Sequence, residues 1–253
     1  MKSITFIGNG NMALSIAQGV KNSYTIEVIG RSMSKLDAFE NALGVTIKKV
    51  LYKDAVIEGK TTILCVKPAN VVEVANQLHG QARILYSVLA GVKVQTLKNA
   101  FNTAAVVRSM PNLAASVAKS MTTLTGDIEY KLEAQELFNS IGSSLWLNSE
   151  KEIDIATALA GSGPAYLALI AEALTDGAVK NGLKRDDAMA VMRGLFDGFG
   201  TLVQEVHPAL LKDAVMSPGG TTAAGYAALE EAGARNACIK AIDSAYKKAC
   251  DLS

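Results

Sequence analysis

The run Ile7-Gly8-Asn9-Gly10-Asn11-Met12-Ala13 constrains this chain more than any other feature. It follows a short apolar stretch, Ser3–Gly8, and opens a helix-like stretch, Asn11–Lys21. The pattern is G-x-G-x-x-A. The first glycine turns tightly out of a strand, and the second lets a pyrophosphate approach the backbone. The small third residue lets the helix pack close to the strand. A helix starting there also points unpaired N–H groups at an anion. Glycine turns occur in other doubly wound folds, but a strand before and a helix after make this one a dinucleotide fingerprint. Gly8, Asn9, Gly10, Asn11, Met12 and Ala13 are therefore expected at a cofactor.

The next hundred residues alternate in period. Thr25–Gly30, Val45–Leu51, Thr61–Val66, Arg83–Leu89 and Ala104–Met110 read as strands. Between them, Ser34–Leu43, Val71–Leu78 and Val94–Phe101 read as helices. Such alternation predicts a parallel, doubly wound sheet. Ser120–Thr125, a helix over Tyr130–Ile141, and Ser144–Leu147 complete this domain, placed at 1–148.

The character changes near Ser149, and 149–253 reads as all helix. Tyr166, Leu169, Ile170, Ala173, Leu174 and Gly177 recur at helical spacing, and their neighbours Leu167, Ala168 and Ala171 are apolar too. A helix apolar on most sides must be buried on most sides. About a hundred residues of helix have little core of their own, so a partner subunit is expected to cover that surface. Gly161-Ser162-Gly163-Pro164 divides the apolar stretch Ile155–Ala171 and reads as a fresh helix start. Ser162 would cap it and Pro164 would suit its first helical position. The divided stretch is expected to be buried helix rather than a membrane span. Glu152 and Asp154, just before it, read as solvated or capping charges.

The second strand bears on the choice of cofactor. NAD sites usually carry an acid at its end to hold the ribose 2′-hydroxyl. Here Gly30-Arg31-Ser32 stands there, with no acid before Asp37. Arg31 can pair with a 2′-phosphate and Ser32 can donate to it. NADPH is therefore expected, with NADH as a second donor. Carboxyl ends of strands line the ligand crevice in such sheets. That places Val66-Lys67-Pro68, Ala90-Gly91 and Met110-Pro111-Asn112 at the cofactor. Asn112 offers a donor and an acceptor, as a carboxamide requires.

A second anion site lies far along the chain. Ser217-Pro218-Gly219-Gly220-Thr221-Thr222 ends one helical run and begins another. Its glycines allow close approach, its helix start offers N–H groups, and its threonines add hydroxyls. An ordinary helix corner has the same make-up. Two anion sites in one chain suggest a cofactor brought to a small acidic substrate.

Composition narrows the classes. A net charge of +1 with scattered Lys and Arg gives no field for nucleic acid or anionic lipid. Three cysteines without metal-ligand spacing predict no metal site and suit a reducing cytoplasm. Met1-Lys2-Ser3 leads straight into a strand, unlike a targeting peptide. The two histidines, His79 and His207, lie beside helix ends, which argues against a histidine-based alcohol dehydrogenase mechanism.

Taken together these segments resemble the pyrroline-5-carboxylate reductase family. The resemblance rests on Gly8–Ala13, Val66-Lys67-Pro68, Arg108-Ser109-Met110-Pro111-Asn112, Gly161-Ser162-Gly163-Pro164-Ala165-Tyr166 and Ser217–Thr222. Their order and spacing cover nearly the whole chain, and the last two segments together are its most specific part. The resemblance implies a Rossmann domain followed by an all-α dimerisation domain. It implies NAD(P)H-dependent reduction of 1-pyrroline-5-carboxylate to L-proline, the last step of proline biosynthesis. It also implies homodimers that assemble further, often to decamers. The substrate carboxylate would be held by Ser217, Gly219, Gly220 and Thr221, in a site completed across the dimer. Thr222 would face the ring nitrogen as the catalytic residue. Two departures stand out: Ala160 where the family usually has serine, and Leu113-Ala114 where it often has Thr-Pro. The same scaffold also suits a related imine or hydroxyacid oxidoreductase, or a non-catalytic NADP-binding sensor. A hydroxyacid enzyme would need a helical-domain lysine, for which Lys180 and Lys184 are available.

Overall fold

The structure, a computed structural model, describes residues 2–251. Its strands are β1 (Lys2–Ile7), β2 (Tyr24–Gly30), β3 (Lys48–Leu51), β4 (Thr61–Leu64), β5 (Ile84–Ser87), β6 (Val106–Met110), β7 (Ser120–Gly126) and β8 (Gly142–Trp146). They form one sheet in the order β3-β2-β1-β4-β5-β6-β7-β8. The order reverses between β1 and β4, the topological switch point at which such sheets bind ligands.

Strands β1 to β6 are parallel, as the alternating pattern predicts. The sheet departs from a fully parallel one at β7, which runs antiparallel to β6. The reason is the length of the connection. Residues 111–119 join β6 to β7, too few for the crossover that a parallel return needs. β8 then pairs parallel with β7.

Helices cover both faces. On one side α1 (Asn11–Val20), α2 (Met33–Leu43) and α5 (Lys131–Asn139) pack over Ile4, Phe6, Val28, Ile63 and Tyr86. On the other, α3 (Val71–Ala75) and α4 (Val94–Ala100) pack over Ile7, Ile29, Leu64 and Leu85. The period-two alternation within each strand divides its side chains between the two cores. Each large buried side chain contributes about 1.5–3 kcal/mol. Tyr86 meets Phe138 edge-on, with ring centres 5.8 Å apart. Close packing explains Gly19 in α1, where a Cβ would lie 2.3 Å from Ile141 Cγ2.

The remaining helices are α6 (Glu150–Ala156), α7 (Gly163–Lys180), α8 (Arg185–Glu205), α9 (Pro208–Val215), α10 (Thr221–Glu231) and α11 (Ala234–Asp251). The chain divides into two compact units, Met1–Pro164 with Ser244–Ser253, and Ala165–Asp243. In the second, Thr175 and Ala188 alone are buried among the described residues. Leu169 is 66% exposed and Phe199 50%. Glu150–Lys180 is a helical stretch long and apolar enough, by length and composition, to cross a membrane.

The expected helix start holds in part: α7 begins at Gly163 with Pro164 as its second residue, but the chain before it is not a break. Residues Thr157–Gly161 form a single π-helical turn instead. Ser162 caps nothing there: its backbone is helical and its N–H donates to Thr157 O at 3.1 Å.

Candidate active site

The carboxyl ends of β1, β2, β4, β5 and β6 bring together the cofactor residues expected from the sequence. Gly8 leaves β1 at φ +106°, and a Cβ there would lie 2.6 Å from Cys65 O. No other residue could pass so close to the end of β4 at that angle. Cys65 N–H donates to Ile7 O at 2.8 Å, and Gly8 N–H to Ile29 O at 2.9 Å, locking the turn to both neighbouring strands. Gly10 has nothing within 4 Å of where its Cβ would be. It is the N-cap of α1 and supplies no side-chain cap. The first-turn N–H groups of α1 are thus left for an anion. Ala13 is fully buried, as the close helix–strand packing requires. These are the features a dinucleotide pyrophosphate needs, so the residues fit the cofactor.

Around this turn, Asn9 and Met12 are half-buried and Asn11 is exposed. After β2, Arg31 extends into solvent and makes a loose ion pair with Glu73 at 3.6 Å. Ser32 caps α2, accepting from Lys35 N–H at 3.4 Å, and its hydroxyl lies 2.8 Å from that of Ser34. The end of β2 therefore presents a guanidinium, hydroxyls and a helix start. Val66 is half-buried, and Lys67 and Pro68 are exposed beyond β4. Gly91, beyond Ala90, is buried at φ +72°. Burial pushes the Cys65 thiol far above the usual thiol range, so it stays protonated beside this turn.

Sequence reasoning missed much at the end of β6. Arg108 is buried, its Nη1 donating to Glu150 at 3.0 Å and its Nη2 to Asp154 at 2.6 Å. Asp154 is thus not a solvated charge, since its side chain is 8% exposed and holds the guanidinium. Glu150 also accepts from Val94 N–H at 2.8 Å. Glu152 does cap, taking Asn148 N–H at 2.8 Å while Ser149 Oγ accepts its own N–H at 3.2 Å. An arginine inside an apolar strand was the signal for the cluster, because a buried charge needs partners. Met110 and Pro111 are buried beside it. Asn112 has its amide engaged on both sides: Nδ2 donates to Ala160 O and Oδ1 accepts from Ala114 N–H, each at 3.0 Å.

In the helical unit, Ser217–Gly220 forms a tight turn. Ser217 O accepts from Gly220 N–H at 3.0 Å, Pro218 follows Ser217, and Gly219 stands at φ +72°. This is a type II turn, with proline and glycine in the positions that demand them. A Cβ on Gly220 would meet Ser217 Oγ at 2.5 Å. Gly220 is the N-cap of α10 and supplies no side-chain cap. Thr221 is exposed and Thr222 half-buried in the first turn. His207 caps α9, its Nδ1 accepting from Ala209 N–H at 3.2 Å, and His79 joins a β-bridge to Val56.

Known proteins match along the whole chain. Residues 150–252 match the family described as pyrroline-5-carboxylate reductase dimerisation, and residues 3–91 that described as NADP oxidoreductase, coenzyme F420-dependent. A pyrroline-5-carboxylate reductase of Helicobacter pylori is 33% identical over 98% of this chain and 99% of its own. The chain belongs to the pyrroline-5-carboxylate reductase family. A soybean (Glycine max) reductase is 37% identical over 99% of this chain and 96% of its own. Among solved structures, the Streptococcus pyogenes reductase superposes with a TM-score of 0.86 at 30% identity, covering 98% of both chains. The Plasmodium falciparum reductase, solved with NADP bound, gives 0.82 at 25% identity, covering 99% of this chain and 98% of its own. As a pyrroline-5-carboxylate reductase, the chain is a soluble NAD(P)-dependent oxidoreductase acting on a C=N bond in proline biosynthesis. Its helical region is a dimerisation domain, which accounts for the exposed apolar helices of the single chain.

Proposed function

We propose that the two anion sites divide the work of this reductase between them. Bound NADPH supplies the hydride. Gly8, Asn9, Gly10, Asn11, Met12 and Ala13 hold its pyrophosphate, and Arg31 and Ser32 hold the 2′-phosphate. Val66, Lys67, Pro68, Ala90, Gly91, Met110 and Pro111 line the remainder, and Asn112 stands beside them with its amide on Ala160 O and Ala114 N–H rather than on the cofactor. Ser217, Gly219, Gly220 and Thr221 cradle the carboxylate of 1-pyrroline-5-carboxylate, and Thr222 aligns the ring nitrogen. The observation that carries this reading is the bare N-terminus of α10 behind the Ser217–Gly220 turn. Such an end attracts a carboxylate.

A cyclic imine can take its proton from water, so Thr222 serves by alignment or by relay. Rate then comes from positioning rather than from a strong acid. Residues 1–148 act as the cofactor domain and 149–253 as the dimerisation and substrate domain. The working form is a cytoplasmic homodimer, its site completed across the dimer, with the decamer as a higher assembly.

The deciding experiment is NADPH oxidation by the purified protein with 1-pyrroline-5-carboxylate, beside NADH and a six-membered piperideine carboxylate. L-Proline from the five-membered imine, with NADPH the better donor, is expected. Tight NADPH binding without turnover of any imine would instead favour an NADP-binding sensor.

A further inference from the structure

We propose that Asn112 is a positioning residue for the reduction, acting through the π-helical turn rather than on the cofactor. The activity part of this proposal rests on the function proposed above. In an α-helix Ala160 O would accept from the N–H of residue 164, but residue 164 is proline and has none. A proline ring also crowds the carbonyl four residues before it. The helix answers by widening over Thr157–Gly161, with the five-residue bond from Ser162 N–H to Thr157 O at 3.1 Å. Asn112 Nδ2 then supplies the donor that Pro164 lacks, at 3.0 Å.

The amide can hold only this orientation. Its Oδ1 accepts from Ala114 N–H at 3.0 Å, so a flip would set N–H against N–H and oxygen against oxygen. The backbone beneath it is pinned as well, Asn112 N–H donating to Ser120 Oγ at 3.1 Å. The entrance to the same turn is tied to β6 by Arg108, through Glu150 and Asp154. Two ties from one strand end therefore hold α6 and the turn. They set where the backbone of Gly161-Ser162-Gly163 lies. Single wide turns of this kind are frequent at functional sites.

The test uses the full-length Asn112→Ala, Asn112→Asp, Pro164→Ala and Asn112→Ala/Pro164→Ala proteins. NADPH affinity is titrated by fluorescence without imine, kcat and KM are measured for the imine, and thermal midpoints are recorded. Asn112→Ala should lose roughly ten- to a hundredfold in kcat/KM while NADPH affinity stays within about twofold. Asn112→Asp should be no better, because it sets an oxygen against Ala160 O. Pro164→Ala restores the missing N–H, so Asn112→Ala should lower the midpoint clearly less in that background. Additive midpoint losses, full activity of Asn112→Ala, or NADPH affinity falling in step with kcat/KM would each overturn the proposal. If wild type failed to reduce the imine, the proposed function would fall, yet the midpoint cycle would still decide whether Asn112 and Pro164 are coupled.

Discussion

Thr222 and Arg31 carry the sharpest expectations for single side chains. Thr222 sits in the first turn of α10 but does not cap it, since that place belongs to Gly220. A hydroxyl not required as a cap is available to a substrate. Thr222→Ser should be mild, and Thr222→Ala should cost roughly 1–3 kcal/mol of transition-state stabilisation, about five- to a hundredfold in rate. Equal, unimpaired turnover in both variants would remove Thr222 from the mechanism. Arg31 meets Glu73 at 3.6 Å with both side chains 58% exposed, a pair worth little to stability. Arg31→Ala should therefore leave the fold intact and raise the KM for NADPH roughly ten- to a hundredfold, with little change for NADH. Steady-state kinetics with both donors checks this, and an unchanged NADPH:NADH preference would contradict the assignment. Arg108 teaches a different lesson. Its place in an apolar strand was visible, but its partners Glu150 and Asp154 lie more than forty positions away, and spacing along a chain cannot pair residues that distant.

Stability is tuned where strands and helices join. Arg83, just before β5, donates Nη1 to Glu133 of α5 at 2.9 Å, and its Nη2 reaches the other carboxylate oxygen. Hydrogen bonding from Arg83 holds the Glu133 carboxyl below its ordinary value of 4.5, against the opposing effect of burial. A depressed carboxylate stabilises the fold above its unfolded pKa and loses that contribution as pH falls through the folded one. Glu133→Gln should thus cost up to about 1 kcal/mol at pH 7, the pair being partly exposed and screened. The difference should shrink as pH falls from 7 into acid solution below the ordinary carboxylate value of 4.5. Thermal midpoints at pH 7 and in acid test it, and a gap that persists in acid would refute the account. Ala118 ends the 3-10 turn Leu113–Val117 at φ 54°, in the left-handed region. Ala118→Gly removes about 1–2 kcal/mol of strain and adds some unfolded-chain entropy. A net gain of about 0.5–1 kcal/mol is expected, raising the midpoint by about 1–4 °C. A lowered midpoint would show that the site is not strained.

Exposed leucines dominate the helical unit. Leu169, Leu195, Leu202 and Leu210 are each more than half exposed in the single chain. A patch of that kind needs a partner, and a second copy of the same dimerisation domain is the fitting one. Light scattering at micromolar concentration should return at least twice the single-chain mass. A mass equal to one chain would sink the dimer and leave those helices unexplained.

The sequence by itself determined the alternation of strands and helices, the glycine loop and the Ser217–Thr222 turn. Each of these depends on period or on local backbone chemistry, which short stretches carry within themselves. Gly8 and Gly219 are needed because their own φ angles are positive. Only the tertiary structure decided the reversal of β7, the burial of Asp154, and the π-helical turn over Thr157–Gly161 that leads into α7 at Gly163. Asp154 is buried because it meets Arg108, more than forty positions away, while β7 reverses because its connection from β6 is too short for a crossover, and the helix widens around a carbonyl that Pro164 cannot serve. The carbonyl orphaned by Pro164 is implicit in the sequence, but its donor on Asn112 becomes visible only once β6 and α6 are packed together.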